Sequence, residues 1–162
     1  MRFFRDVAIA AAILSGSIVS PKAADYLEEA FPKSRAYSAG VMTEGGRIFW
    51  MAGQTATKDE NGNDISGKFE SQARTIFKQM DQTLKKAGGS LADLVNITVF
   101  LNDPRNGEHM ATLRRELFAE GKYPGSTMIT VSNFAQPGML IEIEGVAVIG
   151  DKCSSGNPCL PR

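Results

Sequence analysis

The sequence predicts an α+β domain in which a mixed sheet carries two helices on one face. Residues 139–149 alternate apolar and polar side chains, a period-two pattern that is typical of a strand. Residues 68–87 and 107–120 instead repeat apolar side chains every three or four positions, which predicts amphipathic helices. A further strand at 47–53 is apolar on both faces, so it predicts a sheet that is covered on both sides.

In chain order the predicted elements are ββαβαββ. The first two strands, residues 36–42 and 47–53, flank a Glu-Gly-Gly turn and are expected to pair as a hairpin. The helix at 68–87 stops at Gly88, and a strand at 95–101 leads through Asn-Asp-Pro into the second helix. Two helices cover only one face of such a sheet, so self-association is expected to bury the other.

The first 24 residues are expected to be a secretory signal peptide rather than part of the domain. Two arginines precede an uncharged, largely apolar run of 13 residues at 7–19. A membrane-spanning helix needs about 20 apolar residues, so no stable span is expected. A membrane-edge anchor or a buried helix is the alternative. The prediction is a periplasmic or secreted protein with a lead-in at 25–34, a domain at 35–150 and a tail at 151–162.

Composition limits both the number of domains and the class of partner. A chain of 162 residues with 43% hydrophobic content supports one domain with a sizeable core. Lys+Arg and Asp+Glu both number 18, so the net charge is zero and no global positive field favours nucleic acid. No nucleic-acid partner is expected.

The cysteines Cys153 and Cys159 lie in the Gly/Pro/Ser-containing tail. In an oxidising compartment we expect them to form a structural disulfide. A redox pair or half of a metal site is the alternative. No second cysteine pair accompanies them and the single His109 lies elsewhere, so no metal is expected.

Glu142 and Glu144 stand two positions apart on the last strand and therefore face the same side of the sheet. One of them could hold or shuttle a proton. The alternative is an ordinary solvated strand face.

Several segments make residues 35–150 resemble the RidA (YjgF/UK114) family. They are Gly53-Gln54 after the second strand, AGGSLADLV at the helix end, the strand NITVFLND, the Tyr-Pro turn and the closing IEIEGVAV. The resemblance implies a chorismate-mutase-like fold and a homotrimer with small-ligand clefts between subunits. It also implies hydrolysis of 2-enamines and 2-imines to 2-keto acids and ammonia, without a metal or organic cofactor.

The resemblance also assigns site residues. Tyr37 matches the family's tyrosine, Glu142 matches the glutamate that positions water or relays a proton, and Gly53 and Thr127 keep the frame of the cleft. Four positions differ by having lost polar or charged groups: Ala52, Ala111, Ser126 and Met128.

Ser126 stands where deaminating members carry the arginine that grips the substrate carboxylate. Loss of such a contact costs on the order of 1.5 to 3 kcal/mol. Arg47, Arg114 and Arg115 could replace it, but surface salt bridges are the expectation for all three. A neutral, apolar pocket is therefore expected.

Two classes of function follow. The first is a hydrolase of imines or related small electrophiles, in which Glu142 orients water and Tyr37 and backbone groups near Ser126 and Thr127 hold the substrate. Its substrate is expected to lack a carboxylate or to be altered in another way. The second is a protein that binds a small metabolite without turnover, in clefts made more apolar by Ala52 and Met128.

Overall fold

A computed structural model describes residues 24–153 and 159–160. Its main sheet has four strands, β3 (Arg47–Gln54), β4 (Leu94–Leu101), β5 (Gly125–Thr130) and β6 (Ile141–Ile149). Their order across the sheet is β3-β6-β4-β5. The β4–β5 pair is parallel and the other two pairs are antiparallel, so the sheet is mixed as predicted.

Two helices, α2 (Phe69–Lys86) and α3 (Gly107–Leu117), follow β3 and β4 along the chain. Their apolar residues and the odd-numbered residues of β4 and β6 form one hydrophobic core. The fully buried members include Ile76, Phe77, Met80, Ile97, Val99, Met110, Ile141 and Ile143. The predicted α+β architecture is therefore confirmed.

The predicted hairpin of the first two strands is wrong. A short strand β2 (Gly40–Met42) pairs instead with β1 (Asp25–Leu27) in a separate two-stranded sheet. The following strand, β3, pairs with β6. The three residues of β1, Asp-Tyr-Leu, are too few to display a period, so the sequence pattern does not predict this strand. A five-residue helix, α1 (Ala30–Ser34), lies in the same segment.

Gln72 of α2 fixes the chain that enters β6. Its side chain is fully buried and donates to the carbonyls of Ile65 (3.0 Å) and Gly138 (2.7 Å). Its carbonyl oxygen accepts from the backbone N–H of Leu140 at 2.9 Å. One amide thus satisfies three backbone groups, and it sets the start of the strand that carries Glu142.

The expected disulfide joins Cys153 to Cys159. Asp25 of β1 accepts hydrogen bonds from the backbone N–H groups of Cys159 and Leu160, both at 3.1 Å. The disulfide-closed tail is therefore held against the first strand of the domain.

The expected signal peptide lies outside the described residues, except for Ala24 at its end. Within 24–153 and 159–160, no helix combines the length and the apolarity that crossing a bilayer requires.

Candidate functional site

The strand register places the predicted site residues on two opposite faces of the sheet. Ser126 and Met128 pair with Ile97 and Val99, which are buried against the helices. Because side chains at paired positions share a face, Ser126 and Met128 lie on the helix side. Glu142 pairs with Phe100, which directly follows Val99 and therefore points to the opposite face of the sheet. Glu142 thus lies on the face away from the helices, which we call the open side.

On the helix side, Ser126 and Met128 line a cavity of about 320 Å³ together with Tyr37. Two arginines, Arg35 and Arg114, also line it. Phe31 of α1 is 69% exposed and forms an apolar rim. Tyr37 reaches the cavity because Ser38 bridges in parallel to Gly125 at the start of β5.

Arg114 is the most unusual residue of this cavity, because it is an arginine that is only 2% exposed. It donates to the Ser126 hydroxyl at 2.7 Å and to the carbonyl of Arg35 at 2.9 Å. Its Cζ lies 5.8 Å from the centre of the Tyr37 ring, within cation–π range. Its Nε–H is buried and has no hydrogen-bond partner among the residues that the structure describes.

Within residues 24–153 and 159–160, no carboxylate oxygen lies at ion-pair distance from Arg114. Burial lowers the pKa of Arg114 to about 10, and the positive charges of Arg35 and Arg115 act in the same direction. Electrostatic interaction with Tyr37 raises the pKa of Arg114 and so opposes this shift only in part. The cavity wall therefore carries a buried positive charge that lacks a counter-ion.

The expectation that Arg114 forms a surface salt bridge is therefore wrong, and so is the expectation of a neutral, apolar pocket. Arg115 and Arg47 are exposed and donate to the backbone carbonyls of Ser34 and Ala87. Arg114 differs from them because it lies four residues after Met110, on the apolar stripe of α3. That spacing was visible in the sequence and would have predicted an arginine turned inward.

On the open side, Glu142 is half-buried and its carboxylate packs against Gly53. A Cβ added at Gly53 would lie 1.9 Å from Glu142 Oε1. Only glycine leaves room for this carboxylate, so β3 and β6 together fix its position. Ala52 is exposed beside Gly53.

The same side of the sheet carries Thr127 and Glu144, which flank Thr98 in register. A groove of about 430 Å³ runs past Glu144, Asn96 and Trp50. The Trp50 side chain is 76% exposed and that of Ile48 is 60% exposed, as predicted for a sheet face without a covering layer.

Within one chain the structure thus brings together Tyr37, Ser126 and Met128, and separately Gly53 and Glu142. It does not bring the two sets into one cavity. The cysteines take no part in either set. Glu44 lies beside Cys153 and Cys159, but both sulfurs are consumed by the disulfide and so offer no thiolate to a metal.

Comparison with known proteins matches residues 27–149 to the family model described as Endoribonuclease L-PSP. A RutC family protein of Pyrococcus horikoshii is 31% identical over 111 residues, which cover 68% of this chain and 85% of that protein. The human 2-iminobutanoate/2-iminopropanoate deaminase is 28% identical over 114 residues, covering 70% of this chain and 80% of the relative.

The fold also matches solved structures. A Rid-family protein of unknown function from Yersinia pestis, YyfB, superposes with a TM-score of 0.67 at 23% identity. The match covers 77% of this chain and 96% of that one. A member of the YjgF/YER057c/UK114 family from Mycobacterium tuberculosis gives a TM-score of 0.54 at 23% identity, over 78% and 99% of the two chains.

Proposed function

Because the chain belongs to the RidA (YjgF/UK114) family, whose model is described as Endoribonuclease L-PSP, we propose that it forms a homotrimer with ligand clefts between subunits. In these clefts it hydrolyses a small 2-enamine or 2-imine. The ribonuclease activity in the family description is not part of the proposal, since the chain has no net positive charge to attract RNA.

This proposal rests on two groups of residues that lie on opposite faces of the sheet and that we call half-sites. Arg114, Tyr37 and Ser126 form the half-site on the helix side, and Glu142 forms the half-site on the open side. One chain therefore cannot present both sets to one ligand. Closed association through the open face, where Trp50 is exposed, offers a way for one subunit to supply Glu142 to the half-site of another.

The reaction proposed for a cleft that contains both half-sites is the hydrolysis of a C=N bond. Water adds to the C=N carbon, a proton passes to the nitrogen, ammonia leaves and a carbonyl group remains. Glu142 is the residue suited to accept a proton from water, because its half-buried carboxylate lies in the space left by Gly53. Relatives named 2-iminobutanoate/2-iminopropanoate deaminase support this chemistry.

An altered substrate range is part of the proposal. Met128 and Phe31 line the helix-side cavity, and Ala52 precedes Gly53, which packs against Glu142. The side chains of Met128 and Ala52 are apolar where polar groups are expected from the family resemblance. The cleft therefore favours a substrate with a more apolar group.

The alternative is a protein that binds a small metabolite without turnover. The loss of polar groups at Ala52 and Met128 favours it, because such groups position water and substrate rather than merely enclose a ligand.

Ammonia release from enzymatically generated 2-aminoacrylate and 2-iminobutanoate distinguishes the two. We expect turnover in the unmodified protein and a loss of about 100-fold or more in Glu142→Gln, as is typical when a general base is removed. Glu144→Gln is the matched control, because Glu144 lies on the same face of the same strand but is exposed. Absence of turnover in the unmodified protein would leave the binding function.

We also propose export to the periplasm or beyond. The disulfide between Cys153 and Cys159 supports it, because such bonds persist in oxidising compartments. Fractionation of cells expressing the full chain, with thiol alkylation of the recovered protein, tests it; a cytoplasmic, fully alkylated protein would contradict it.

A further inference from the structure

The inward-facing arginine of α3 has a consequence for the class of ligand. Arg114 has five N–H groups, and its two hydrogen bonds use two of them. Both acceptors are neutral oxygens, so neither compensates the charge. A buried cation without a counter-ion is costly in the free protein, and an anion that enters the cavity removes that cost.

The surroundings of Arg114 are positive rather than negative. Arg35 lines the same cavity, and Arg115 follows on the same helix. Glu108 is exposed and forms an ion pair with Arg35, which offsets the charge of Arg35 but not that of Arg114. The net field in the cavity therefore favours an anion small enough to enter about 320 Å³.

We propose that Arg114 is the receptor for a ligand carboxylate, and that Ser126 is a positioning residue that holds its guanidinium. The planar fork of arginine suits a carboxylate better than a point charge would. The family resemblance implies an arginine at position 126 of strand β5. In this chain the positive charge comes instead from Arg114 of helix α3. This inference rests on the proposed function only in taking the helix-side cavity as the ligand site.

Arg114 also has a structural contact, because it donates to the carbonyl of Arg35 at the end of α1. Arg115 does the same for Ser34 and provides the matched control. A purely structural role predicts a change in stability without a change in ligand preference at either arginine. A receptor role predicts a change in ligand preference at Arg114 alone.

The test is calorimetric binding to the full-length protein at pH 7.5, with 2-oxobutanoate as the anionic probe and 2-oxobutanamide as its neutral counterpart. We expect the unmodified protein to prefer the carboxylate by about 10-fold or more. Arg114→Met should weaken carboxylate binding by about 10- to 100-fold, as loss of a charged hydrogen bond does, and abolish the preference. Arg115→Met should retain it, and Arg114→Lys should retain part of it.

A reciprocal exchange sharpens the test. Ser126→Arg alone places two cations at one point and should weaken carboxylate binding, because like charges repel and Arg114 loses its anchor. Adding Arg114→Ser to Ser126→Arg should restore binding. Melting temperatures of all variants identify any that are misfolded, and the preference of the unmodified protein still tests the proposal if they are.

The proposal is overturned if the unmodified protein shows no preference for the carboxylate, or if Arg114→Met keeps the preference. It is also overturned if Arg115→Met loses the preference as fully as Arg114→Met does. Failure of the proposed function is a separate result: ammonia release is then absent while carboxylate binding still depends on Arg114.

Discussion

At the residue scale, each of the two half-sites contains one side chain in an unusual position. Arg114 is a buried cation whose pKa is lowered to about 10. Glu142 occupies space that exists only because residue 53 has no Cβ. Each position allows a prediction about stability as well as activity.

Replacing Arg114 by methionine should leave the ligand-free protein equally stable or more stable. The folded pKa lies below the ordinary arginine value, so the folded state binds this proton less tightly than the unfolded state. The resulting penalty is fully present below about pH 10 and declines as the pH rises above that value. Urea unfolding at pH 7 and pH 9 should therefore show the same gain at both values.

Arg115→Met is the control, since that arginine is exposed. A loss of more than about 2 kcal/mol in Arg114→Met alone would show that its hydrogen bonds outweigh the cost of the buried charge.

Gly53→Ala should act through Glu142. The new methyl group would overlap the carboxylate, so we expect Glu142 to move and turnover to fall as in Glu142→Gln. In a Glu142→Ala background the same change should cost much less stability, with a coupling energy of about 0.5 to 3 kcal/mol in a double-mutant cycle. Additive effects on the free energy of unfolding would contradict the contact.

At the scale of elements, helix α2 controls the geometry of the site through Gln72. Its buried amide satisfies three backbone groups around the entrance to β6. The site strand is therefore positioned by a helix that does not itself contact either half-site cavity.

Gln72→Leu should destabilise the protein by on the order of 3 kcal/mol, because several buried backbone groups lose their partners. Turnover should also fall, because the start of β6 is no longer fixed. Chemical denaturation measures the first effect. Gln82→Leu is the matched control on the same helix, since Gln82 is exposed, and it should change the free energy of unfolding by less than about 0.5 kcal/mol.

The elements with strong periodicity were predictable, and those without it were not. Helix α2 was expected at 68–87 and lies at Phe69–Lys86, because its apolar residues recur over five turns. Strand β1 and helix α1 have three and five residues, too few for any period to appear. The hairpin prediction failed for this reason, since the true partner of β2 was not recognised as a strand.

In the candidate site, too, some residues were predictable from the sequence and others were not. Glu142 and Gly53 were found through motifs that the strands preserve, and they contact each other. Arg114 was expected at the surface, because the general tendency of arginine to be exposed outweighed its position on the apolar stripe of α3. Its hydrogen bond to Ser126 connects helix α3 with strand β5, and a local sequence pattern does not predict a contact between two separate elements.

At the scale of the whole molecule, the sheet has one face covered by helices and one face with large exposed apolar side chains. Trp50 and Ile48 on the edge strand β3 are the most exposed of these side chains. An apolar surface of this kind is typical of association sites.

Trp50→Glu should convert the proposed trimer to monomers. The glutamate would have to be buried without a partner in the interface, which costs several kcal/mol for each ion. Light scattering coupled to size-exclusion chromatography measures the mass, and Gln82→Glu on the opposite layer is the control. A trimer that survives Trp50→Glu would place the interface elsewhere.

The opposite placement of Arg114 and Glu142 also has a genetic consequence. If each cleft takes its arginine from one subunit and its glutamate from the next, chains carrying Arg114→Met and chains carrying Glu142→Gln complement each other. In trimers assembled at random from equal amounts, about one quarter of the clefts contain both original residues. The mixture should recover about that share of activity, although neither parent is active, and two such loss-of-function alleles would partly mask each other in one cell.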